Sequence, residues 1–398
     1  MMEEEMLKGK KQKYLLTMAC LTACISVASS GPVFAARIIG HGAAGYNNTA
    51  NGTVPSIQVQ SSNFEFLGTD MYTYSKMESD INLLKQRYEG VTSDTIGTTQ
   101  DGRNIYRIVI GNRQAAKKIL VIGSIHAREY ITTPLVMRQV QEMLDRRGGG
   151  DNVLDNVCIH YVPMLNPDGV AISQYGVDGL NKEESKQKLR EIIQSWSEWG
   201  LNENQDKYNW FLNKWKNNLN GVDINRNFPT QGWAQKPDSR KKPSNEFFKG
   251  FSGGSESETQ DLMKLVNTEN YNAVLNYHTQ GQIIYWSNQH ANAEVLAQNK
   301  AMANITAAHT GYKLVAPSAD GSKFGTGFKD WLDWEKSIPS VTVEVGIGVS
   351  PVPEIQIETI WQQNKGVLPD IVNYVLNGQV QNKTAGEVLS PSVQLEAE

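Results

Sequence analysis

The chain has 398 residues, of which 39% are hydrophobic and 20% charged, with a formal net charge of −4. That length suits one large α/β domain or two smaller ones, and the composition supports a large core. The weakly acidic balance leaves no basic footprint for nucleic acid, and past the N-terminus no stretch is long or apolar enough to span a membrane.

At the N-terminus, Lys8, Lys10, Lys11 and Lys13 precede an apolar stretch from Tyr14 to Val27 and the small-residue site Val33-Phe-Ala35-Ala36. This order predicts a secretory signal peptide over residues 1–35. An alternative is a lipoprotein cleavage box at Leu21-Thr-Ala-Cys24, which would leave Cys24 acylated. With the cut after Ala35, only Cys158 remains, so the exported chain has no intramolecular disulfide and relies on its core. Residues 36–67, rich in Gly, Asn, Ser and Thr, are expected to form an N-terminal arm; 68–378 form the main domain, and 379–398 a mobile tail.

An amphipathic helix is predicted around Lys76 to Tyr88. Strands at Ser93–Gln100 and Asn104–Ile110 follow, joined at Asp101-Gly102. The apolar run Ile119-Leu-Val-Ile122 suits a strand covered on both faces. Beyond it, Thr133 is placed to cap a helix with Pro134 at its first position, and Gly148-Gly-Gly150 ends that helix. Val157 to Met164 is the next strand. Residues 180 to 216, polar and Trp-rich, form a mostly helical insertion over the sheet. Strands recur at 273–278 and 341–345, and this alternation argues for a sheet covered on both faces.

His126-Ala-Arg-Glu129 lies just past the Ile119–Ile122 strand, where turn-like backbone lets an imidazole and a carboxylate converge. His278 ends the run Ala273-Val-Leu-Asn-Tyr-His. Two such nitrogens and one carboxylate hold zinc in catalytic sites with a coordination position left open. Each piece alone has an ordinary reading: His126 as a solvated loop residue, Glu129 as an acid favouring a helix start, His278 as a core histidine. Glu344 is a carboxylate within the apolar run Ser340-Val-Thr-Val-Glu-Val, either paired or kept for a function such as general base. In Gly221-Val-Asp-Ile-Asn-Arg-Asn-Phe228, Arg226 offers a planar fork for a carboxylate, Asn225 adds amide donors, and Asp223 suits the far nitrogen of a liganding histidine.

Taken in order, His126-Ala-Arg-Glu129, Asn166-Pro-Asp-Gly169, Gly221-Val-Asp-Ile-Asn-Arg-Asn, His278 and Thr342-Val-Glu344 resemble the zinc metallocarboxypeptidases of the carboxypeptidase A family, in a bacterial exported branch, over Tyr72 to Leu376. The resemblance implies a single α/β/α domain around a mixed, largely parallel eight-stranded sheet. It implies one Zn2+ per chain on His126, Glu129 and His278, with Glu344 activating the water on the metal. Asn225 and Arg226 become the clamp on a substrate carboxylate, Arg128 a subsite contact, and Asp223 the partner of His126. The site of action becomes the extracellular or cell-wall space, the partner a peptide or peptidoglycan stem peptide, and the chain a monomer. Cobalt or nickel would suit the same ligands.

Three departures stand out. Lys216 occupies the place of the family's oxyanion-stabilising arginine and acts as a point charge without the fork. No tyrosine falls near Ser322 to Phe324, where the family's substrate-capping tyrosine belongs. Lys329 stands at the position lining the pocket for the residue after the scissile bond, and favours a negative group there. The expected activity is that of an exported carboxypeptidase. The alternative is a γ-D-glutamyl-diaminopimelate peptidase acting on peptidoglycan, since diaminopimelate carries a second carboxylate. Behind these stand a zinc deacylase of N-acyl amino acids and an inactive binding module, although every ligand and Glu344 are present.

Overall fold

Long apolar runs need cover on both faces, and the central strands obtain it. The computed structural model describes residues 70–315 and 325–378. The signal peptide with Cys24, the arm, the tail and the Ser322–Phe324 stretch all lie outside the described residues.

Eight strands form one mixed sheet: β1 (Thr92–Thr98), β2 (Asn104–Gly111), β3 (Lys117–Ile122), β4 (Val157–Val162), β5 (Ala273–Thr279), β6 (Ile283–Tyr285), β7 (Lys313–Val315) and β8 (Ser340–Val345). Their order across the sheet is β1-β2-β4-β3-β5-β8-β6-β7. The centre, β4-β3-β5-β8, is parallel, while β1, β2 and the β6/β8 pair bring antiparallel joins. The hairpin at Asp101-Gly102 is present, with Gly102 at φ +88°. The short strands β6 and β7 lie in stretches where three residues give too little periodicity to read from sequence.

Alternation along each strand sorts the side chains into two layers. Ile119, Val121, Leu275, Tyr277, Val341, Val343 and Ile284 face a core built with α1 (Tyr74–Arg87), α2 (Thr132–Gly148), α7 (Ala293–Thr310), α9 (Ile357–Asn364) and α10 (Val367–Asn377). Leu120, Ile122 and Val274 face the other core, with α6 (Ser257–Glu269) and α8 (Phe328–Trp331). This second face carries Asn276, His278, Thr342 and Glu344 at the carboxyl ends of β5 and β8.

One expectation needs correction. Thr133 does not cap α2: the chain enters that helix directly from a 3-10 turn at Ala127–Glu129, Ile131 is already helical in φ and ψ, and Thr133 Oγ1 donates instead to the Pro163 carbonyl. The helices of the 180–216 insertion, α4 (Glu183–Ser195) and α5 (Gln205–Asn213), share a third core with α3 (Pro167–Tyr175), burying Leu189, Ile193, Phe211 and Trp215 together with Ile172 and Ala127.

The turn preceding Asp223 is locked to the start of α6 by buried polar groups. Asn218 Nδ2 donates to Glu256 at 2.7 Å and Glu258 at 3.2 Å, while Asn218 Oδ1 accepts from the amides of Asn220 and Val222. Burial pushes the Glu258 carboxyl up to about 7. The unfolded chain, whose carboxyl titrates lower, sheds this proton first. Stability contributed by Glu258 is therefore lost as pH rises from about 4.5 towards 7. Glu258→Gln is expected to flatten that part of the pH–stability profile, measured by urea unfolding between pH 4 and 8; an unchanged slope would contradict the assignment.

Candidate active site

The site begins with a strained turn after β3. Gly123 passes so near Pro163 that a Cβ would meet its carbonyl oxygen at 2.7 Å, and Ser124 holds φ +47°, a left-handed conformation uncommon without glycine. Thr132 Oγ1 fixes this turn by accepting from the Ser124 amide and donating to the Glu129 carbonyl. Asn166 caps α3 by accepting from the Gly169 amide, while its Nδ2 reaches the carbonyls of Ile125 and Asn217. This explains the Asn-Pro-Asp-Gly string: the helix cap is also the tie between two walls of the site.

His126, Glu129 and His278 converge, with one ligand atom from each within 4.8 Å of the others, and all three are buried. Nδ1 of His126 lies 2.9 Å from Glu129 Oε1, Nδ1 of His278 lies 2.8 Å from Oε2, and the two nitrogens face each other at 3.0 Å. Burial alone would raise the Glu129 carboxyl, but the two imidazoles outweigh it and hold the group well below the usual carboxylate range. The outer nitrogens are also engaged. His126 Nε2 meets Asp223 Oδ1 at 3.1 Å, and His278 Nε2 meets the Asn276 amide at 2.9 Å. Asn276 Oδ1 is buried without a partner. Turning that amide would let Oδ1 accept from the Nε2 proton of His278, leaving Nδ1 free to bind a cation. Two imidazole nitrogens and an ionised carboxylate, each anchored from behind, fit zinc.

Asp223 is the hub of the neighbouring wall. Its amide donates to the Phe248 carbonyl; Oδ2 accepts from Arg226 Nε at 3.2 Å and lies 3.5 Å from Lys216 Nζ. Burial favours the protonated form, yet Lys216, His126 and Arg226 together keep the carboxyl far below its ordinary value. Lys216 and Arg226 both lie over the Phe247 ring, at 4.6 and 5.0 Å from its centroid. Phe247 itself holds φ +65°. Asn225 Oδ1 accepts from the Phe328 amide at 2.8 Å.

Glu344 is half-buried on β8, level with His278 on β5 and Ile283 on β6, and accepts no hydrogen bond from the described residues. Burial raises its carboxyl to about 7, helped by Glu129 and opposed by His278 and Lys216. Arg128 turns away from the histidines, donating to Glu246 Oε2 and the Lys214 carbonyl. Lys329 is buried in an ion pair with Asp333, whose other bonds run to Ser340 and Asn299. The structure thus brings together His126, Glu129, His278, Asp223, Arg226, Lys216 and Glu344. It places Arg128 and Lys329 in ion pairs of their own. Asn276, Phe247, Glu246 and Asp333 were missed. Asn276 carried a sequence signal, as a polar residue two positions before His278 and so on the same strand face, and Asp333 another, as an acid four residues after Lys329.

A two-histidine, one-carboxylate centre at the carboxyl ends of parallel strands, with a raised carboxylate beside it, defines a zinc hydrolase. The family model of zinc carboxypeptidases (M14 peptidases) matches residues 77–366, and the chain belongs to that family. It is an M14-type zinc peptidase with zinc on the His-Glu-His triad. It is 29% identical over 310 residues to gamma-D-glutamyl-L-diamino acid endopeptidase 1 of Lysinibacillus sphaericus, spanning 75% of this chain and 72% of that one. Carboxypeptidase B of Rattus norvegicus is 26% identical over 309 residues, covering 72% and 66%. Bovine thrombin-activatable fibrinolysis inhibitor superposes with a TM-score of 0.59 at 17% identity, over 78% of this chain and 99% of that one, and shares the fold. Among the described residues no helix is long and apolar enough to cross a membrane.

Replacing Asn276 by Leu is expected to weaken zinc binding about 10- to 100-fold, because His278 loses the group that orients it. Competition with a chelator measures this, and an unchanged affinity would remove Asn276 from the site.

Proposed function

We propose that the chain is an exported endopeptidase that cuts the γ-D-glutamyl–diamino acid bond of peptidoglycan stem peptides. The observation that carries this reading is the match, across about three-quarters of this chain, to an enzyme named for that bond. The charged chemistry around the cleft is consistent with it, because a stem peptide offers several carboxylates.

Zinc on the triad would polarise the scissile carbonyl and render a water nucleophilic. The protein's own groups supply the rest. Glu344, level with His278 and free of hydrogen-bonded partners among the described residues, takes the proton from the attacking water and passes it to the leaving amine. Lys216, steadied by Asp223 and the Phe247 ring, balances the charge that develops on the carbonyl oxygen. Arg226 spends only Nε on Asp223, and Asn225 only its carbonyl on Phe328, so the remaining donors of both face a substrate carboxylate. Lys329 is buried and paired with Asp333, and has no part in this reading. Arg128 contributes a subsite wall through its pair with Glu246.

A second reading, removal of single C-terminal residues from L-peptides, has one observation in its favour: the Asn225–Arg226 pair is intact. The two are separated by mass spectrometry of products from zinc-loaded protein beginning at Ala36, given a muropeptide stem and L-peptides with varied C-termini. Cleavage between D-glutamate and diaminopimelate is expected; release of single residues from L-peptides alone would replace the proposal with the second reading. For the mechanism, Glu344→Gln is expected to keep its zinc, by metal analysis, and lose about 10²- to 10⁴-fold in turnover. Near-normal turnover would refute the assigned base.

A further inference from the structure

Two cations of the cleft wall are left with one anion between them. Lys216 Nζ lies 3.5 Å from Asp223 Oδ2, and Arg226 Nε lies 3.2 Å from the same oxygen. Among the described residues neither has another carboxylate within ion-pair distance. Both also lie over the Phe247 ring, 4.6 and 5.0 Å from its centroid. Like charges this close repel, and Asp223, already engaged by His126, balances only one of them. The quadrupole of an aromatic ring supplies attraction for the second.

The backbone around Phe247 is built to place that ring. The Asn245 carbonyl accepts from the amides of Lys216 at 2.7 Å and Asn217 at 3.2 Å, and the Phe248 carbonyl accepts from the Asp223 amide at 2.7 Å. These bonds bracket Phe247 and tie it to Lys216 on one side and Asp223 on the other. Within the bracket Phe247 takes φ +65°, a left-handed conformation that costs a bulky side chain stability and that glycine adopts freely. Such an outlier persists where its surroundings impose it, and it points to a role for the side chain it turns. The approach to the ring is tied down as well: Glu246 pairs with Arg128, and Trp196 Nε1 donates to the Pro243 carbonyl at 2.7 Å. We propose that Phe247 is a positioning residue: its ring holds the Lys216 ammonium and the Arg226 guanidinium together against their repulsion, so that one meets the developing oxyanion while the other meets a substrate carboxylate. Those two roles rest on the mechanism proposed above; the hold of the ring on the two cations does not.

Phe247→Leu keeps the apolar bulk and removes the aromatic face. Phe247→Gly removes the ring and suits the backbone, which guards against a failure to fold. Both are measured on the peptide that the wild type cleaves best, so the outcome does not depend on which bond that is. Each is expected to lower kcat/KM about tenfold, kcat through Lys216 and KM through Arg226, while Phe247→Tyr stays within about threefold of wild type. In a Lys216→Met background, Phe247→Leu is expected to lower kcat less than about twofold further. Zinc content is expected to stay at the wild-type value throughout. No loss from Leu, equal losses from Leu and Tyr, or full additivity in kcat with Lys216→Met would overturn the assignment. A crystal structure of zinc-loaded Phe247→Gly gives a readout independent of turnover. Lys216 and Arg226 are expected to leave their common place beside Asp223, and wild-type positions for both would reject the proposal. Should Lys216→Met alone leave turnover intact, the oxyanion role of Lys216 fails on its own, and that crystal structure decides for or against Phe247.

Discussion

Glu129 is buried and ionised at once, and the site is organised around making that state tolerable. A lone carboxylate taken out of water would protonate instead. Two imidazoles within 3 Å of its oxygens, together with the Thr279 amide at 3.1 Å, keep the charge in place. Those imidazoles need partners in turn, which Asp223 and Asn276 provide from behind. Asp223 is itself a buried anion, and Lys216 and Arg226 answer its charge. Alternating charges thus run outward from the metal position to the partly exposed Lys216 and Arg226, each held by the next.

Such a chain of buried ions gains little stability by itself, since desolvation offsets most of the attraction. What it provides is position. The apolar layers on the two sheet faces give the rigidity, while tight turns at Gly123, Ser124 and Gly221 bring the polar groups within reach of one another. The third core, built from the Trp-rich insertion, reaches Ala127 and braces the ligand turn from outside. Its tryptophans also meet cations from the facing loop: Arg240 lies 4.8 Å from the Trp199 ring centroid and Lys242 4.2 Å from that of Trp196. The insertion therefore acts as a buttress for the site as well as a surface.

Legibility in the sequence differed by the range of the interaction involved. The alternating strands and the hairpin at Asp101-Gly102 were readable because spacing and turn chemistry are local, whereas the ligands were readable as a set only through ordered motifs and the resemblance. Asp223 was readable as a histidine partner only through its motif and the resemblance. The helix start at Thr133 was misread because local capping preferences gave way to a turn continuing straight into the helix. Asn276 and Phe247 were overlooked although each sits in a short, conspicuous segment, since a polar residue within a strand or an aromatic in a loop has many ordinary explanations.

By itself, then, the sequence carried the two-layered α/β plan in its periodicity over a few positions, and the metal-binding set and Glu344 in ordered motifs that acquire meaning together through the resemblance. Only the tertiary structure decided which distant charges meet. Lys329 pairs with Asp333 four residues on, within local reach, but Arg128 pairs with Glu246 on a distant loop. Likewise Tyr285 lies on the sheet face of Glu344 only because β6 joins β8 antiparallel in a register that sets Ile283 against Glu344. Strand pairing joins residues 61 positions apart there, and a one-residue slip would turn the same side chain to the opposite core.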